Sequence, residues 1–167
     1  MQDQSIVFIH IPKTAGSTFV RQIIPNQYKR ESVFETEFPF PKSYREFITM
    51  GKREKESFRV IQGHMGFGLH DYIPQKVKYV TFLREPVERV ISLYCYIQRR
   101  AYPRCFYNET EHKQNEWKDK SLKEVINSGS FKELENGQTR RLAGTKGNIY
   151  TGECTRDTLE IAKDNLR

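Results

Sequence analysis

The sequence predicts an α/β domain with a mainly parallel sheet flanked by helices. Three observations predict it. Short, nearly continuous apolar runs at residues 5–11 (SIVFIHI), 58–62 (FRVIQ) and 78–83 (KYVTFL) have the length and hydrophobicity of strands covered on both faces. The first and third runs are each followed by a segment with helical spacing. The connection after the first run is a short turn-like stretch containing Pro12 and Gly16.

Each element follows from local chemistry. The helix after the first strand covers residues 17–24 and is expected to end at Pro25, which lacks a backbone donor. Residues 26–57 are mixed in character, with a helix expected near 44–50. Pro86 suits a first helical turn, where its missing N–H costs nothing. Val87, Val90, Ile91 and Tyr94 then recur at helical spacing, so residues 87–99 form an amphipathic helix with those side chains as its apolar stripe. Residues 101–120 contain Pro103 and Trp117 and read as a long surface loop. Its Tyr102, Phe106, Tyr107 and Trp117 either anchor that loop or stack on a sugar ring. Short helices are expected at 121–127 and 131–142. A last helix is expected at 155–166, with Thr155 as N-cap and Thr158 in the reciprocal capping position. Its Leu159, Ile161, Ala162 and Leu166 need a partner surface.

A chain of 167 residues fits one domain, 1–167, and can bury a core without disulfides. The 37% hydrophobic and 13% aromatic content excludes a disordered chain. No apolar run is long enough to span a bilayer, and the start MQDQSIVFIHIPK lacks the basic region and cleavage site of a secretory signal. Cys95, Cys105 and Cys154 form neither a metal pattern nor a disulfide framework, which suits a reducing compartment. A cytoplasmic protein without a membrane partner is the expectation. The net charge of +7 favours an anionic ligand: nucleic acid, a nucleotide or an acidic glycan. No helix-turn-helix, zinc or RNA-binding signature supports nucleic acid.

The first candidate site is IPKTAGST, residues 11–18. Strand, small-residue loop and helix form the arrangement in which backbone N–H groups and a helix N-terminus grip phosphate. Gly16 permits close approach, Ser17 and Thr18 add hydroxyl donors, and Lys13 adds positive charge. The motif is not a Walker A loop, because its lysine precedes the glycine. The strand at 78–83 is followed by Arg84 rather than by a magnesium-binding aspartate. An ordinary strand-to-helix connection is the competing reading.

The second candidate is LREPVERVISLY, residues 83–94. Arg84 stands at the carboxyl end of a strand, where open α/β sheets bind ligands. Ser92 shares a helix line with Glu85, Glu88, Arg89 and Tyr96, so Arg84 and Ser92 are placed to converge on one phosphate. His64 follows the strand 58–62 and the turn-permitting Gly63, which puts it at the same end of the sheet. An imidazole there suits removal of a proton from a hydroxyl. His70 is a weaker base candidate, His112 carries no signal, and His10 is expected inside the first strand as a packed core residue. Arg140 and Arg141 flank a helix end, either meeting an anionic ligand or forming a solvated cation pair.

Together the two motifs resemble the sulfotransferases that use 3′-phosphoadenosine 5′-phosphosulfate (PAPS), in particular the heparan sulfate 2-O-sulfotransferases and their bacterial relatives. The resemblance extends to QGH at 62–64, QTRRLAG at 138–144 and LEIAKDNL at 159–166. It implies the P-loop-like sulfotransferase fold, without the further C-terminal strand that family members carry. It assigns the 5′-phosphosulfate to Lys13, Thr14, Ala15, Gly16, Ser17 and Thr18, and the 3′-phosphate to Arg84 and Ser92. The implied reaction is in-line transfer of a sulfuryl group from PAPS to a hydroxyl of a carbohydrate, leaving PAP, with His64 as base and Lys13 at the bridging oxygen. The loop already holds the anion left behind, so no metal is expected. Two alternatives stand beside it: a nucleotide kinase or NTPase on a related loop, and a non-catalytic module for polyanionic glycans.

Overall fold

The structure is a computed structural model describing residues 4–36, 40–99, 119–129, 132–144 and 153–167. Four strands, β1 (Gln4–Ile9), β2 (Val33–Thr36), β3 (Val60–Gly63) and β4 (Lys76–Thr81), form one sheet in the order β2-β3-β1-β4. Every neighbouring pair is parallel. The α-helices among the described residues are α1 (Gly16–Thr18), α2 (Ile24–Gln27), α3 (Phe40–Thr49), α4 (Lys52–Ser57), α5 (Pro86–Gln98), α6 (Leu122–Asn127), α7 (Gly137–Ala143) and α8 (Arg156–Asp164). This is the α/β architecture expected.

The unbroken apolar run of β1 follows from its central place. Val7 and Ile9 pack with Ile11, Ile61, Met65 and the α3 residue Phe47 in one cluster. The alternate residue Phe8 meets Phe19 and Phe82, with ring centroids 4.7 and 5.6 Å away. Side chains on both faces of a central parallel strand are covered, so no polar alternation appears. β4 lies at the sheet edge, and its Lys76 and Lys78 stay exposed, as an edge strand tolerates.

Several boundaries differ from expectation. β1 ends at Ile9, so His10 lies just beyond the strand and is half-buried rather than inside it. β4 runs from Lys76 to Thr81, its last residue paired with Ile9, which leaves Phe82 and Leu83 exposed beyond the strand. The short β2 has no clear strand signal, because VFET carries a charge within four residues. α4, rich in charge, likewise lacks an apolar pattern that would mark it.

Pro25 does not end the first helical segment. A π-turn over Phe19–Ile23 leads into α2, where Pro25 occupies the first turn and needs no amide donor. The Tyr28 N–H donates to the Ile24 carbonyl at 2.9 Å to close it.

The buried line of α5 is also not the expected stripe. Arg89, Leu93 and Ile97 are buried, whereas Val87 is 63% and Ile91 45% exposed. The segment before α7 is a run of turns, and the helix starts only at Gly137, after Asn136 in the left-handed region at φ 54°. α8 forms as expected. Thr155 and Thr158 cap each other reciprocally, Ala162 packs with Leu142 and Ala143, and Leu159, Ile161 and Leu166 remain exposed. No helix among the described residues is long and apolar enough to cross a membrane. His112, Trp117, Tyr102, Phe106 and Tyr107 lie outside the described residues.

Candidate active site

Strand register brings the candidate residues to one end of the sheet. Ile9 pairs with Gly63 on one side and with Thr81 on the other, so β1, β3 and β4 finish level. The chain adds β2 and β3 to one side of β1 and β4 to the other, and such a reversal opens a crevice at the carboxyl ends of the strands. The 11–18 loop, His64 and Arg84 all leave the sheet there.

The loop is held open by unusual backbone geometry. Lys13 and Ala15 take φ values of 67° and 68°, a region costly for residues with a Cβ. Alternation of this kind turns successive N–H groups inward to form an anion-binding concavity. The Thr14 hydroxyl is spent internally, donating to the Ile11 carbonyl at 2.8 Å, while Ser17 and Thr18 stay exposed. Gly16 has no room for a side chain: a Cβ there would stand 2.6 Å from His10 Cδ2.

A pocket of about 290 Å³ beside the loop gathers Lys13, Arg84 and Ser92, in line with the sequence pattern. It also includes Tyr96 and Arg99, with Glu88 and Ile91 at its wall. The Lys13 ammonium sits 4.3 Å above the Tyr96 ring, a cation–π contact. Burial first, and then the nearby Arg84 and Arg99, lower the Lys13 pKa, so this is a pocket of concentrated positive charge. Arg84 pairs with Glu88 at 3.0 Å, with both side chains more than a third exposed. Such a pair contributes little and yields readily to a stronger anion. The backbone of Arg84 is fixed more firmly: Gln138 Oε1 accepts from its N–H at 2.9 Å and Gln138 Nε2 donates to its carbonyl at 2.8 Å.

Beneath the loop lies a buried ion triad. Arg89 Nη1 approaches Glu133 Oε1 at 3.1 Å, and Arg141 Nη2 approaches Glu133 Oε2 at 2.9 Å. The side chains of Arg89, Glu133 and Arg141 are 3%, 1% and 0% exposed. Arg89 also reaches the Pro12 carbonyl at 3.4 Å, tying α5 to the loop. Arg89, three residues before Ser92 on α5, is therefore buried in the triad rather than lining the pocket. Arg140 and Arg141 are likewise no solvated pair: Arg140 is buried with Glu135 at 3.4 Å, and Arg141 belongs to the triad. The carboxylate that makes the triad's burial tolerable comes from the turn before α7, where periodicity carries no information.

His64 is fixed by His10. Its Nδ1 lies 2.7 Å from the His10 carbonyl, and the two rings stack with centroids 4.5 Å apart and planes 22° from parallel. A carbonyl only accepts, so Nδ1 carries the hydrogen and Nε2 of the neutral ring carries the lone pair. Gly63 permits this placement, with φ at 147° and its Cα against Thr36. Burial, then Arg141, lower the pKa of His64 to about 3; burial, Arg141 and Arg21 lower that of His10 to about 4. His70 is exposed and turned toward the Tyr79 hydroxyl, 3.1 Å from its Nδ1.

These shifts carry a sign for stability. Between pH 6.5 and about 4 the unfolded chain binds protons at these two histidines that the folded chain does not, so their contribution is lost as pH falls through that window. The drop in melting temperature between pH 7 and pH 4.5 is expected to be smaller in a His64→Gln variant than in wild type. Equal drops in calorimetric scans would contradict a buried neutral His64.

Comparison with known proteins gives the family. The profile of the sulfotransferase family matches residues 1–146, which include the loop, His64, Arg84, Ser92 and Gln138. Mouse heparan-sulfate 6-O-sulfotransferase 3 is 26% identical over 213 aligned positions. That alignment covers 97% of this chain and 42% of the mouse protein, so the chain spans about two fifths of that relative's length. The relative carries a 6-O designation, whereas the motifs resemble the 2-O branch, and the family match does not choose between them. With the match covering most of the chain and reaching from the phosphate loop through α7, the chain belongs to the sulfotransferase family.

Proposed function

We propose that this chain transfers a sulfuryl group from PAPS to a hydroxyl of a carbohydrate, with His64 as the general base. The observation that carries the reading is that Lys13 from the 11–18 loop and Arg84 and Ser92 from the 83–94 segment line one cationic pocket at the carboxyl end of the sheet. The residues fit a doubly anionic nucleotide: a concave backbone loop without room for a Cβ at Gly16, and three cations around a hydroxyl. Lys13 and the backbone of residues 14–18 would hold the 5′ group, and Arg84 with Ser92 the 3′-phosphate. Arg99 adds a third cation at that end of the pocket. When bound, PAPS supplies the sulfuryl group and a phosphate leaving group.

The chain's own residues supply charge and a proton acceptor. Lys13 is the cation built into the loop, placed to stabilise negative charge that grows on the bridging oxygen. Exchanging the Tyr96 face for an anion costs its ammonium little, since a partly exposed cation–π contact contributes only about 0.5–1 kcal/mol. His64 Nε2 accepts the acceptor hydroxyl proton while Nδ1–H stays on the His10 carbonyl. Its low pKa keeps it neutral at any physiological pH, and anionic charge gathered in the loop moves that pKa upward, toward effective basicity.

A heparan-sulfate sulfotransferase among the relatives and the net charge of +7 both favour a carbohydrate acceptor of acidic character. The test is transfer of labelled sulfate from PAPS to heparan sulfate, a neutral glucan and simple alcohols, with and without EDTA. Transfer to the polysaccharide, undiminished by EDTA, is the expected outcome. No transfer to any acceptor, together with thermal stabilisation by ATP and magnesium but not by PAP, would favour the kinase reading.

A further inference from the structure

The side chain of His10 has no part in the mechanism above, yet the residue touches both halves of the site. It is the first residue after β1, and its N–H donates to the Gly63 carbonyl at 2.9 Å, continuing the β1–β3 ladder by one step. Its carbonyl receives His64 Nδ1. Its ring lies between two neighbours: His64 stacked at 4.5 Å, and Phe8 at 5.8 Å with planes 28° apart. The edge of the ring abuts the phosphate loop, since a Cβ on Gly16 would meet His10 Cδ2 at 2.6 Å and Nε2 at 2.9 Å. The backbone of His10 thus sets the tautomer of His64, and its side chain stacks on the His64 ring on one side while its edge meets the loop at Gly16.

We propose that His10 is a positioning residue for the transfer step: its imidazole, wedged against Gly16 of the loop, fixes the plane of the stacked His64 ring so that Nε2 is directed to the acceptor hydroxyl. The inference rests on the reading of His64 as the base. A hydrogen bond through Nδ1 alone leaves the ring free to tilt about that bond, and a misdirected base loses rate without loss of donor binding. Stacking removes that freedom. The groups facing the pair are Arg141 from α7, acting on both rings, and Arg21 from the π-turn, acting on His10. With these cations nearby, the stacked pair stays neutral.

The experiment measures kcat, KM for PAPS and the pH profile for His10→Ala, His10→Phe, His64→Ala and the double variant His10→Ala/His64→Ala. His10→Ala is expected to lower kcat at least tenfold with less than a threefold change in KM for PAPS. The acid limb of its kcat profile should move to higher pH as His64 becomes better solvated. His10→Phe, which keeps a flat ring, should restore kcat to within about threefold of wild type. In the double variant, loss of His10 should cost nothing beyond loss of His64, because residues acting as a unit are not additive. An unchanged kcat in His10→Ala beside an inactive His64→Ala overturns the proposal and leaves the base assignment standing. Wild-type turnover in His64→Ala overturns both. A rise in KM for PAPS as large as the fall in kcat, or a full further loss in the double variant, makes His10 a support of the loop and overturns the proposal. Should His10→Ala fail to fold, His10→Phe and His10→Leu decide, with the leucine variant expected to keep the packing and lose the rate.

Discussion

Replacing His64 by alanine is expected to reduce turnover by about a hundred- to ten-thousandfold while PAP affinity stays nearly unchanged. The size follows from what a general base supplies, and the selectivity from where the ring sits. His64 follows β3 and is bonded to the His10 carbonyl, outside the group of Lys13, Arg84 and Ser92 that lines the cationic pocket. Its removal strips the reaction of a proton acceptor without taking a donor from the phosphates. Single-turnover kinetics beside PAP calorimetry separate the two. Unchanged turnover in His64→Ala would remove the base role, and an equal loss of PAP affinity would make His64 a binding residue.

Replacing Glu133 by alanine is expected to destabilise the protein by about 3–5 kcal/mol, the cost of leaving a buried charge without its partner. Here two guanidiniums lose the same carboxylate, since Glu133 serves Arg89 through Oε1 and Arg141 through Oε2. For a chain of this size the melting temperature should fall by on the order of 10 °C. The effect should reach function as well. Arg89 also holds the Pro12 carbonyl, and Arg141 already depresses both histidines, so an uncompensated Arg141 pushes their pKa values lower still. A Glu133→Ala variant that melts within about 2 °C of wild type would show that the triad contributes little, which is the usual fate of exposed pairs but not of one buried to this degree.

Three of the four strands and the residues of the cationic pocket are legible in the sequence because their signals are local. An apolar run such as SIVFIHI, seven residues bounded by polar and turn-forming ones, fits a strand covered on both faces better than it fits a helix. A strand followed by a small-residue loop and a helix already implies where an anion would sit. Arg84 and Ser92 come together because one follows the end of β4 by three residues and the other lies about two turns along the following helix. Burial polarity is not legible. Hydrophobic spacing assigns Val87 and Ile91 to the core of α5, yet the buried line runs through Arg89, because Glu133, 44 residues away, neutralises it. No periodicity reports a salt bridge between distant segments. The same reason hides Arg141, and it hides the bond to the His10 carbonyl that orients His64. Pro25 reads as a helix end because the π-turn before it, which shifts the hydrogen-bond pattern, has no sequence mark here.

The central claim is that Lys13, Arg84 and Ser92 form the site of an adenosine 3′,5′-bisphosphate group. Calorimetric titration of PAP into wild type and into a folded Arg84→Ala variant tests it most directly. A guanidinium bonded to phosphate contributes about 1.5–3 kcal/mol, so the dissociation constant should rise about ten- to a hundredfold in the variant. Wild-type affinity for PAP in Arg84→Ala, with the variant's fold intact by circular dichroism, would contradict the assignment of this pocket.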